Sequence, residues 1–450
     1  MVIDKPQEIA ENIAEKQEMS YDEALNLASQ LHRGRQLEPA ERLYRALLGI
    51  QPGDPNVMHY LGVLLYQAQR REEGVEWIRR SLEIDPNVAS WHNNLGNVML
   101  DAGHFDDASR CYARCSELDP HNIEVLNNLG VMQRSLGHAD QAEQTLLRAV
   151  ALKPEFTDAR HNLAALYFSL KRFTEGFTHS AQALAQEPRH TGTRRVLGLV
   201  YGHLGRHEEA AQIYREWLEM EPDSEQARHY LAGCTGEDVP ERAAQTYVEK
   251  LFDSFAASFD AKLEALDYRA PALVGEAVAA ALGRGEGALD VLDAGCGTGL
   301  CGPWLAPYAR CLVGVDLSQA MLDKAAERSL YHALVKDDLV LHLHKNPAGY
   351  ELIVSADTLC YFGRLDEVLA AAAAALRDGG ALFFTAETHD DVARSFWLHP
   401  HGRYSHHRAY IESTLRGAGF AEPQFEAVVL RHECGAPVSG WLVSARMAAR

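Results

Sequence analysis

The chain has 450 residues, 47% of them hydrophobic, and a formal net charge of −20. Its length predicts two or more domains, and its acidic balance argues against a nucleic-acid-binding protein or one that docks on anionic lipid, because both functions need clustered Lys and Arg. We find no signal-peptide pattern at the N-terminus and no apolar stretch near the roughly 18 residues of a membrane-spanning helix.

Eight cysteines are scattered along the chain. They form no C-x-x-C pair, and no set of Cys and His residues has the spacing of a zinc site. We therefore expect reduced thiols in a cytoplasmic protein, and no bound metal.

Residues 1–20 are polar and charged, and the sequence leaves open whether they form a leading helix or a loose segment. From residue 21 a period of 34 residues begins. Proline recurs on this period at positions 52, 86, 120, 154, 188 and 222. A Leu-Gly or Leu-Ala pair recurs at positions 61, 95, 129, 163, 197 and 231.

This period resembles that of tetratricopeptide (TPR) repeats, in which each unit is a helix–turn–helix of about 34 residues. Small residues let the two helices of a repeat approach closely, and the proline ends the second helix. We predict a solenoid over residues 21–234, made of six repeats and a capping helix. A linker with Gly, Pro and charged residues follows over residues 235–246.

Within the repeats, Asn94, Asn128 and Asn162 occupy the same position of three successive units. Each amide offers donors and an acceptor, so the array could pair with the backbone of an extended peptide. It resembles the asparagine ladder on the inner face of the TPR domain of O-GlcNAc transferase. Ordinary TPR repeats also carry Asn here, where it serves helix packing or solvation, and both interpretations stay open.

Residues 247–274 carry Tyr, Phe and Leu side chains at helical spacing. This pattern predicts one or two short amphipathic helices. The remainder alternates strands and helices in the manner of a parallel α/β sheet. We place strands near residues 289–293, 312–315, 334–336, 350–356 and 376–387, and a terminal pair near 425–431 and 440–445.

The stretch VLDAGCGTGL, residues 291–300, organises this second half. It predicts a buried strand, then Asp293, and then Gly295, Gly297 and Gly299, which let the backbone turn tightly beside a ligand. The spacing D-x-G-x-G-x-G resembles the first motif of class I methyltransferases that depend on S-adenosylmethionine (SAM). Gly297, Gly299 and Gly302 also spell the G-x-G-x-x-G of a dinucleotide loop, but the leading carboxylate suits an ammonium group better than a diphosphate.

The resemblance implies a site for SAM as the cofactor. Asp293 would face the methionine ammonium, and Asp316, which closes the second strand, would accept hydrogen bonds from both ribose hydroxyls. Asp316 could instead cap the next helix, although Ser318 is equally suited to that role. Asp338, or nearly as well Asp337, would accept from the adenine amino group. The predicted cofactor set is Asp293, Gly295, Cys296, Gly297, Gly299, Asp316, Leu317, Asp338, Leu339 and, from the leading helices, Tyr247.

The same resemblance places the methyl acceptor at the ends of the fourth and fifth strands. The run Asp357-Thr-Leu-Cys-Tyr361-Phe362 resembles the fourth motif of the family, and Glu387 ends the fifth strand. The insertion that follows is crowded with His, Arg and Tyr, and neutral His is a general base near pH 7. For each histidine the alternative is surface exposure or a packing hydrogen bond. We predict catalytic roles for Asp357, Tyr404, His406 and His407, and substrate contacts for Tyr361, Glu387 and Arg403 besides the three asparagines.

The two halves together are similar to a bacterial group of predicted methyltransferases that carry TPR repeats. The expected fold is an all-α TPR solenoid followed, over residues 247–450, by a Rossmann-like α/β domain with a seven-stranded sheet and an antiparallel terminal hairpin. We expect a SAM-dependent methyltransferase whose TPR domain recruits a peptide or protein acceptor. The alternatives are a small-molecule methyltransferase with TPR-mediated assembly, and a non-catalytic TPR adaptor that retains the SAM fold.

Overall fold

The computed structural model describes residues 19–253, 255–256, 259–433 and 436–448. Nearly all of the predicted leading segment, residues 1–20, therefore lies outside the described residues. Within the described ranges, no helix is long and apolar enough to cross a membrane. The chain divides into two compact units, Met1–Pro188 and Arg189–Arg450.

The first unit consists of successive helix pairs joined by short turns. Small residues lie where paired helices approach: a Cβ added to Gly62 would lie 2.7 Å from the carbonyl oxygen of Gly74. Tyr44 and Tyr112 fill the space between helices and are fully buried. These pairs confirm the predicted TPR-like solenoid. They are α1 (Tyr21–Arg33), α2 (Leu37–Ile50), α3 (Pro55–Gln67), α4 (Arg71–Ile84), α5 (Ala89–Asp101), α6 (Phe105–Leu118), α7 (Ile123–Ser135), α8 (Ala139–Leu152), α9 (Thr157–Ser169) and α10 (Phe173–Gln186).

The second unit begins with three helices that continue the repeat pattern. Helices α11 (Thr191–His203) and α12 (His207–Met220) form another pair, and α13 (Glu225–Thr235) follows. Ser224 caps the start of α13, and Gly236 ends it in the left-handed conformation. Three more helices precede the sheet, the first two in the segment predicted to hold short amphipathic helices. They are α14 (Gln245–Asp253), α15 (Phe259–Ala265) and α16 (Ala270–Leu282).

A seven-stranded sheet forms the rest of the second unit, in the order β3-β2-β1-β4-β5-β9-β8. The strands are β1 (Leu289–Ala294), β2 (Ala309–Asp316), β3 (Ala333–Lys336), β4 (Tyr350–Ser355), β5 (Leu376–Glu387), β6 (Phe396–Leu398), β7 (Tyr404–His406), β8 (Phe420–Glu433) and β9 (Ala436–Met447). Strands β1 to β5 are parallel, and β9 is antiparallel to both β5 and β8. The Rossmann-like sheet with its terminal hairpin is therefore confirmed. The helices between strands are α17 (Gly302–Leu305), α18 (Gln319–Glu327), α19 (Leu339–Lys345), α20 (Asp366–Ala375) and α21 (Arg408–Gly417).

The central strands are apolar on both faces because helices cover both sides of the sheet. Val291 and Leu352 are buried in one hydrophobic cluster, and their chain neighbours Leu292 and Ile353 in another. The carboxyl ends of β1 to β5 share one edge of the sheet. Since β9 runs antiparallel to both β5 and β8, the carboxyl end of β8 lies at that edge as well. This edge holds the candidate site.

Strands β6 and β7 form a separate antiparallel ribbon. Phe396 pairs with His406 and Leu398 with Tyr404, so residues 399–403 form the turn between the strands. The sequence analysis assigned no strands to this insertion. Both strands have only three residues, too few for an alternating pattern to stand out.

Candidate active site

A cavity of about 310 Å³ lies at the carboxyl-end edge of the sheet. One part, which we call the glycine end, is lined by Gly295, Gly297 and Asp316. Aromatic side chains from α14, α15 and the turn between them cover the cavity: Phe252, Phe255 and Phe259. The other part, the charged end, is lined by Asp357, Arg403, Arg431 and Glu433. The volume is sufficient for a small-molecule ligand.

The backbone of the glycine loop is held against β2. The amides of Gly295 and Cys296 donate to the carbonyl oxygen of Val315 at 2.9 and 3.0 Å. Gly295 has a φ of +77°, and a Cβ there would lie 2.2 Å from Oγ1 of Thr358. Glycine is therefore required at this position, both for the backbone conformation and for the close approach of the Thr358 side chain.

Asp316 lies at the end of β2, where its carboxylate meets the loop. Oδ2 accepts from the amide of Gly297 at 2.9 Å, and Oδ1 accepts from the amide of Ser318 at 2.9 Å. Burial raises the pKa of this carboxyl group. The N-terminal cap of α18 is Ser318, whose hydroxyl accepts from the amide of Met321. Ser318, and not Asp316, therefore caps α18.

Asp338 also lines the cavity, but its side chain is engaged by the segment before α14. Its Oδ2 accepts from Arg242 at 3.0 Å and from Gln245 at 2.8 Å. Its Oδ1 accepts from the amide of Leu341 and so caps α19. Leu317 and Leu339 line the cavity beside the two carboxylates, as Cys296 does beside the glycines.

Acidic side chains fasten the covering helices to the glycine loop and to α18. Asp253, at the end of α14, accepts from the hydroxyl of Ser318. Asp260, in α15, accepts from the hydroxyl of Thr298 and from Arg328. These bonds hold the aromatic cover over the cavity. Phe252, Phe255 and Phe259 therefore line the cavity instead of packing only against the sheet.

Three residues predicted for the cofactor are not among the described residues that line the cavity. Asp293 is 1% exposed and accepts from the hydroxyl of Tyr331 at 2.6 Å; burial raises its pKa to about 7. Gly299 packs against the ring of Tyr331. The ring of Tyr247 lies against His229 and Tyr230, because α14 turns that face toward α13.

The charged end is a buried network of five ionic side chains. Arg431, which is 3% exposed, donates to Asp357 at 2.6 Å, to Glu433 at 2.6 Å and to Glu387. Arg403 donates to Glu387 at 2.7 Å and to Glu433 at 2.6 Å. Two guanidinium groups thus bridge three carboxylates, and the five residues come from four separate segments of the chain. Glu387 does not line the cavity itself, but it forms ion pairs with both Arg403 and Arg431.

Burial and charge act in opposite directions on these carboxylates. Burial alone would raise the pKa of Glu387, but Arg403 and Arg431 outweigh it and lower that pKa to about 2. For Asp357 burial prevails over the attraction of Arg431, and the pKa is raised. Tyr361, which lines the cavity, has its pKa raised well above the usual value by burial. Glu387 is therefore a fixed charge, whereas Asp357 is the carboxylate that binds a proton more readily.

Three residues predicted as catalytic lie outside the cavity lining of the described structure. Tyr404 is fully buried and donates to the carbonyl oxygen of Pro240 at 2.8 Å. His406 is also fully buried, and its Nε2 donates to the carbonyl oxygens of Phe362 and Gly363. His407 caps α21. Their positions match the alternative of packing hydrogen bonds, because Tyr404 and His406 in β7 bond neighbouring backbone and His407 bonds the first turn of α21.

The sequence analysis missed Arg431 and Glu433. Both lie at the carboxyl end of β8, which the sheet order brings to the same edge as Asp357 and Glu387. A usable signal was present: Arg431 directly follows the apolar run Val428–Leu430 in a predicted strand. A charge buried at the end of a strand is unfavourable unless an opposite charge pairs with it. The partners of Arg431 come from distant parts of the chain.

The residues Asp357, Cys360 and Glu387 lie close enough together to hold a metal ion. Both carboxylates, however, already bind the guanidinium of Arg431. The thiol of Cys360 donates to the carbonyl oxygen of Asp357, and burial raises its pKa well above the usual value. We therefore interpret this cluster as an ionic network and assign no metal to it.

In the first unit, the three predicted asparagines are half-buried and make hydrogen bonds between neighbouring helices. Asn94 Nδ2 donates to Nε2 of His59 at 2.9 Å, and Asn162 Nδ2 donates to Oδ1 of Asn127 at 2.8 Å. Asn128 bonds the side chain of Tyr112. Each amide thus takes part in repeat packing, and each has further donor or acceptor capacity to offer a ligand.

Family models match both halves of the chain. One for a methyltransferase domain matches residues 291–380. Two for the tetratricopeptide repeat match residues 99–165, and residues 21–89 and 179–225. TPR repeats in the N-terminal region and a methyltransferase domain toward the C-terminus are thereby shown.

Individual known proteins are similar to parts of the chain. The 18S rRNA (guanine-N(7))-methyltransferase of Bos taurus is 37% identical over 65 residues, which are 14% of this chain and 23% of that relative. The chain thus spans about a quarter of the length of this relative. The solved structure of MamA is 19% identical with a TM-score of 0.34, covering 36% of this chain and 94% of MamA. The solved structure of YrrB, described as a TPR protein with an unusual peptide-binding site, is 20% identical with a TM-score of 0.36. It covers 41% of this chain and 96% of YrrB.

The family matches agree with the architecture of the two units. The repeated helix pairs lie where the tetratricopeptide models match, and the glycine loop opens the region matched by the methyltransferase model. The chain therefore joins tetratricopeptide repeats to a C-terminal methyltransferase domain.

Proposed function

We propose that the chain is a class I methyltransferase that uses SAM, and that its TPR domain recruits a peptide or protein as the methyl acceptor. The observation that carries this proposal is the cavity itself. One end offers a glycine loop with open space against its backbone and a carboxylate beside it, and the other end offers a buried ionic network. Aromatic side chains cover both. Such a cavity suits a ligand with a polar nucleoside part and a reactive group directed at a second substrate.

The residues at the glycine end fit SAM. A Cβ placed on Gly297 would meet only the ring of Phe259, at 3.9 Å, so the loop leaves room there for a ligand against its backbone. Asp316 stands at the end of β2, where a carboxylate can accept from the two hydroxyls of a ribose. Leu317 and Leu339 offer apolar surfaces on which an adenine ring can pack.

SAM, when bound, supplies a methyl group on a positively charged sulfur. The protein's own contribution is to hold the acceptor in line with that group, which supplies much of the acceleration in such displacements. The aromatic cover keeps water away from the reacting atoms. The charged end orients the acceptor and, through Asp357, can hold a proton.

The TPR unit supports recruitment of a peptide or protein in two ways. Repeats of this family generally mediate protein interactions, and asparagine recurs at one position of three successive repeats. A small-molecule methyltransferase whose repeats serve assembly remains the second candidate. The cysteines among the described residues are free thiols, which supports a reducing compartment such as the cytoplasm.

Calorimetric titration of SAM and of S-adenosylhomocysteine tests the cofactor proposal. We expect the wild type to bind both, and Asp316→Ala to lose roughly 100-fold in affinity, because two hydrogen bonds to a charged acceptor disappear. The matched control is Asp323→Ala, which removes an exposed carboxylate from α18 and should bind as the wild type does. Failure of well-folded wild type to bind either ligand would leave the chain as an adaptor.

A further inference from the structure

The charged end does not balance its own charge. Asp357, Glu387 and Glu433 supply three carboxylates, while Arg403 and Arg431 supply two guanidinium groups. The network therefore carries one uncompensated negative charge when all five groups are ionised. Burying such a charge is unfavourable unless a positive group or a proton joins it. A ligand that brings a positive charge would be favoured here.

One atom of the network also lacks a hydrogen-bond partner among the described residues. Oδ2 of Asp357 accepts from Arg431, but Oδ1 is buried and has none. The backbone of Asp357 has a φ of +57°, which is uncommon outside glycine, and its amide donates to the hydroxyl of Thr385 at 2.8 Å. The carboxylate is thus held in a fixed position that leaves one oxygen in need of a donor.

We propose that the charged end takes an amine as the methyl acceptor, with the amine N–H donating to Oδ1 of Asp357. This inference rests on the proposed function. The sulfonium group itself has no N–H or O–H that could satisfy Oδ1, and we assign the donor to the acceptor that lies beside it. A protonated amine satisfies both observations because it supplies the donor and the missing positive charge. A hydroxyl supplies only the donor, and a carboxylate supplies neither.

The ammonium gives one proton to the carboxylate of Asp357, which leaves a lone pair on nitrogen. That lone pair forms the new N–C bond to the methyl group while the C–S bond breaks and its electron pair stays on sulfur. The product is a methylated ammonium and a neutral thioether. The single positive charge thus passes from sulfur to nitrogen, and Asp357 later releases its proton to water.

The chemistry of the product provides the test. The full chain is incubated with methyl-labelled SAM and a cell extract, and the labelled product is treated with mild base and then analysed by mass spectrometry. We expect label that is stable to base and located on nitrogen. Base-labile label released as methanol would identify a carboxylate acceptor, and label on oxygen or carbon would identify a hydroxyl or carbon acceptor. Either result overturns the inference while leaving SAM-dependent transfer intact.

A variant separates this inference from the proposed function. Asp357→Asn keeps the shape of the side chain and should bind SAM within about twofold of wild type, yet lose roughly 100-fold or more in transfer. Asp323→Asn, on the exposed face of α18, is the control and should keep both properties. Unchanged transfer by Asp357→Asn overturns the amine assignment. A wild type that fails to bind SAM overturns the proposed function, and this inference with it.

A second, independent observation concerns the turn that carries Arg403. Residues 399–403 join β6 to β7, and Gly402, with a φ of +88°, allows the chain to reverse there. A Cβ on Gly402 would lie 2.8 Å from the ring of Tyr230, in α13. A Cβ on Gly233, also in α13, would lie 2.6 Å from the carbonyl oxygen of His399. Helix α13 and this turn therefore pack so closely that neither glycine could carry a side chain without a clash.

A buried hydrogen bond fastens the same contact. His229, in α13, is 3% exposed, and its Nε2 donates to the carbonyl oxygen of Gly402 at 2.8 Å. The next residue, Arg403, binds Glu387 and Glu433 in the cavity. We infer that α13 fixes the place of Arg403, with His229 as a positioning residue. The helix that ends the repeat pattern is thus part of the architecture of the charged end.

The variants His229→Leu and His229→Gln test this role. Leu removes the donor, and we expect transfer to fall roughly tenfold or more while SAM affinity stays unchanged. Gln retains an N–H donor and should restore most of the transfer. In an Arg403→Ala background, His229→Leu should have no further effect, because its target is gone. Additive losses, or an equal loss of SAM affinity, would mean that His229 only stabilises the fold and would overturn the inference.

Discussion

The two ends of the cavity are built in different ways. The glycine end comes from one continuous strand–loop–strand unit, so that Gly295 and Asp316 are close in sequence as well as in space. The charged end joins Asp357, Arg403 and Arg431, which come from three distant segments. A local unit leaves a motif that can be recognised from spacing. A network of distant residues leaves no spacing to recognise, and it depends on the whole sheet being assembled.

Removing Arg431 should have the largest effect on the charged end. Arg431→Met leaves three buried carboxylates with one remaining guanidinium, and we expect the free energy of unfolding to fall by about 3 to 5 kcal/mol. Arg446→Met, on the exposed face of the neighbouring β9, should change it by less than about 0.5 kcal/mol. Urea denaturation of both variants measures the difference. Equal decreases in the free energy of unfolding would mean that the buried ionic network does not stabilise the fold.

The pH dependence of stability tests whether His406 is structural. Burial lowers its pKa from 6.5 to about 4. The folded state thus favours the neutral ring, and its contribution is complete above pH 6.5 and lost as the pH falls toward 4. Between pH 7.5 and 4, the free energy of unfolding of His406→Gln should therefore fall by about 3 kcal/mol less than that of the wild type. Parallel pH profiles for the variant and the wild type would contradict the buried position of the ring.

A pair of glycine variants tests the close packing of the glycine end. Gly295→Ala would place a Cβ 2.2 Å from Oγ1 of Thr358, whereas Gly379→Ala, at a similar positive φ, would meet nothing within 4 Å. Both variants carry the backbone cost, but only the first adds overpacking. We expect Gly295→Ala to be less stable than Gly379→Ala by about 2 kcal/mol. Thermal melting of the two proteins would contradict this account if their midpoints coincided.

The smallest expected effect concerns the asparagines of the first unit. Replacing Asn94, Asn128 and Asn162 together by Ala should reduce transfer to a protein acceptor several-fold, because hydrogen bonds to a peptide that water can partly replace contribute about 1 kcal/mol in total. SAM affinity should stay unchanged. Transfer to a purified protein acceptor at the wild-type rate would remove the ladder from the proposal and favour the small-molecule alternative.

The sequence predicted those features that repeat or that lie close together along the chain. The 34-residue period predicted the helix pairs, and the apolar runs predicted the strands, including the terminal hairpin that contains Arg431. It could not show that β8 would bring Arg431 beside Asp357, since that contact depends on strand order. Nor could it show that Tyr247 would face His229, because that contact depends on how α14 packs against α13.

Calorimetric titration of SAM into the wild type, Asp316→Ala and Asp357→Asn separates the roles of the two ends of the cavity. We expect the wild type to bind SAM, Asp316→Ala to bind it roughly 100-fold more weakly, and Asp357→Asn to keep the wild-type affinity. Binding and acceptor chemistry would then reside at separate ends of one cavity. Absence of SAM binding by folded wild type, or its retention in Asp316→Ala, would contradict the account.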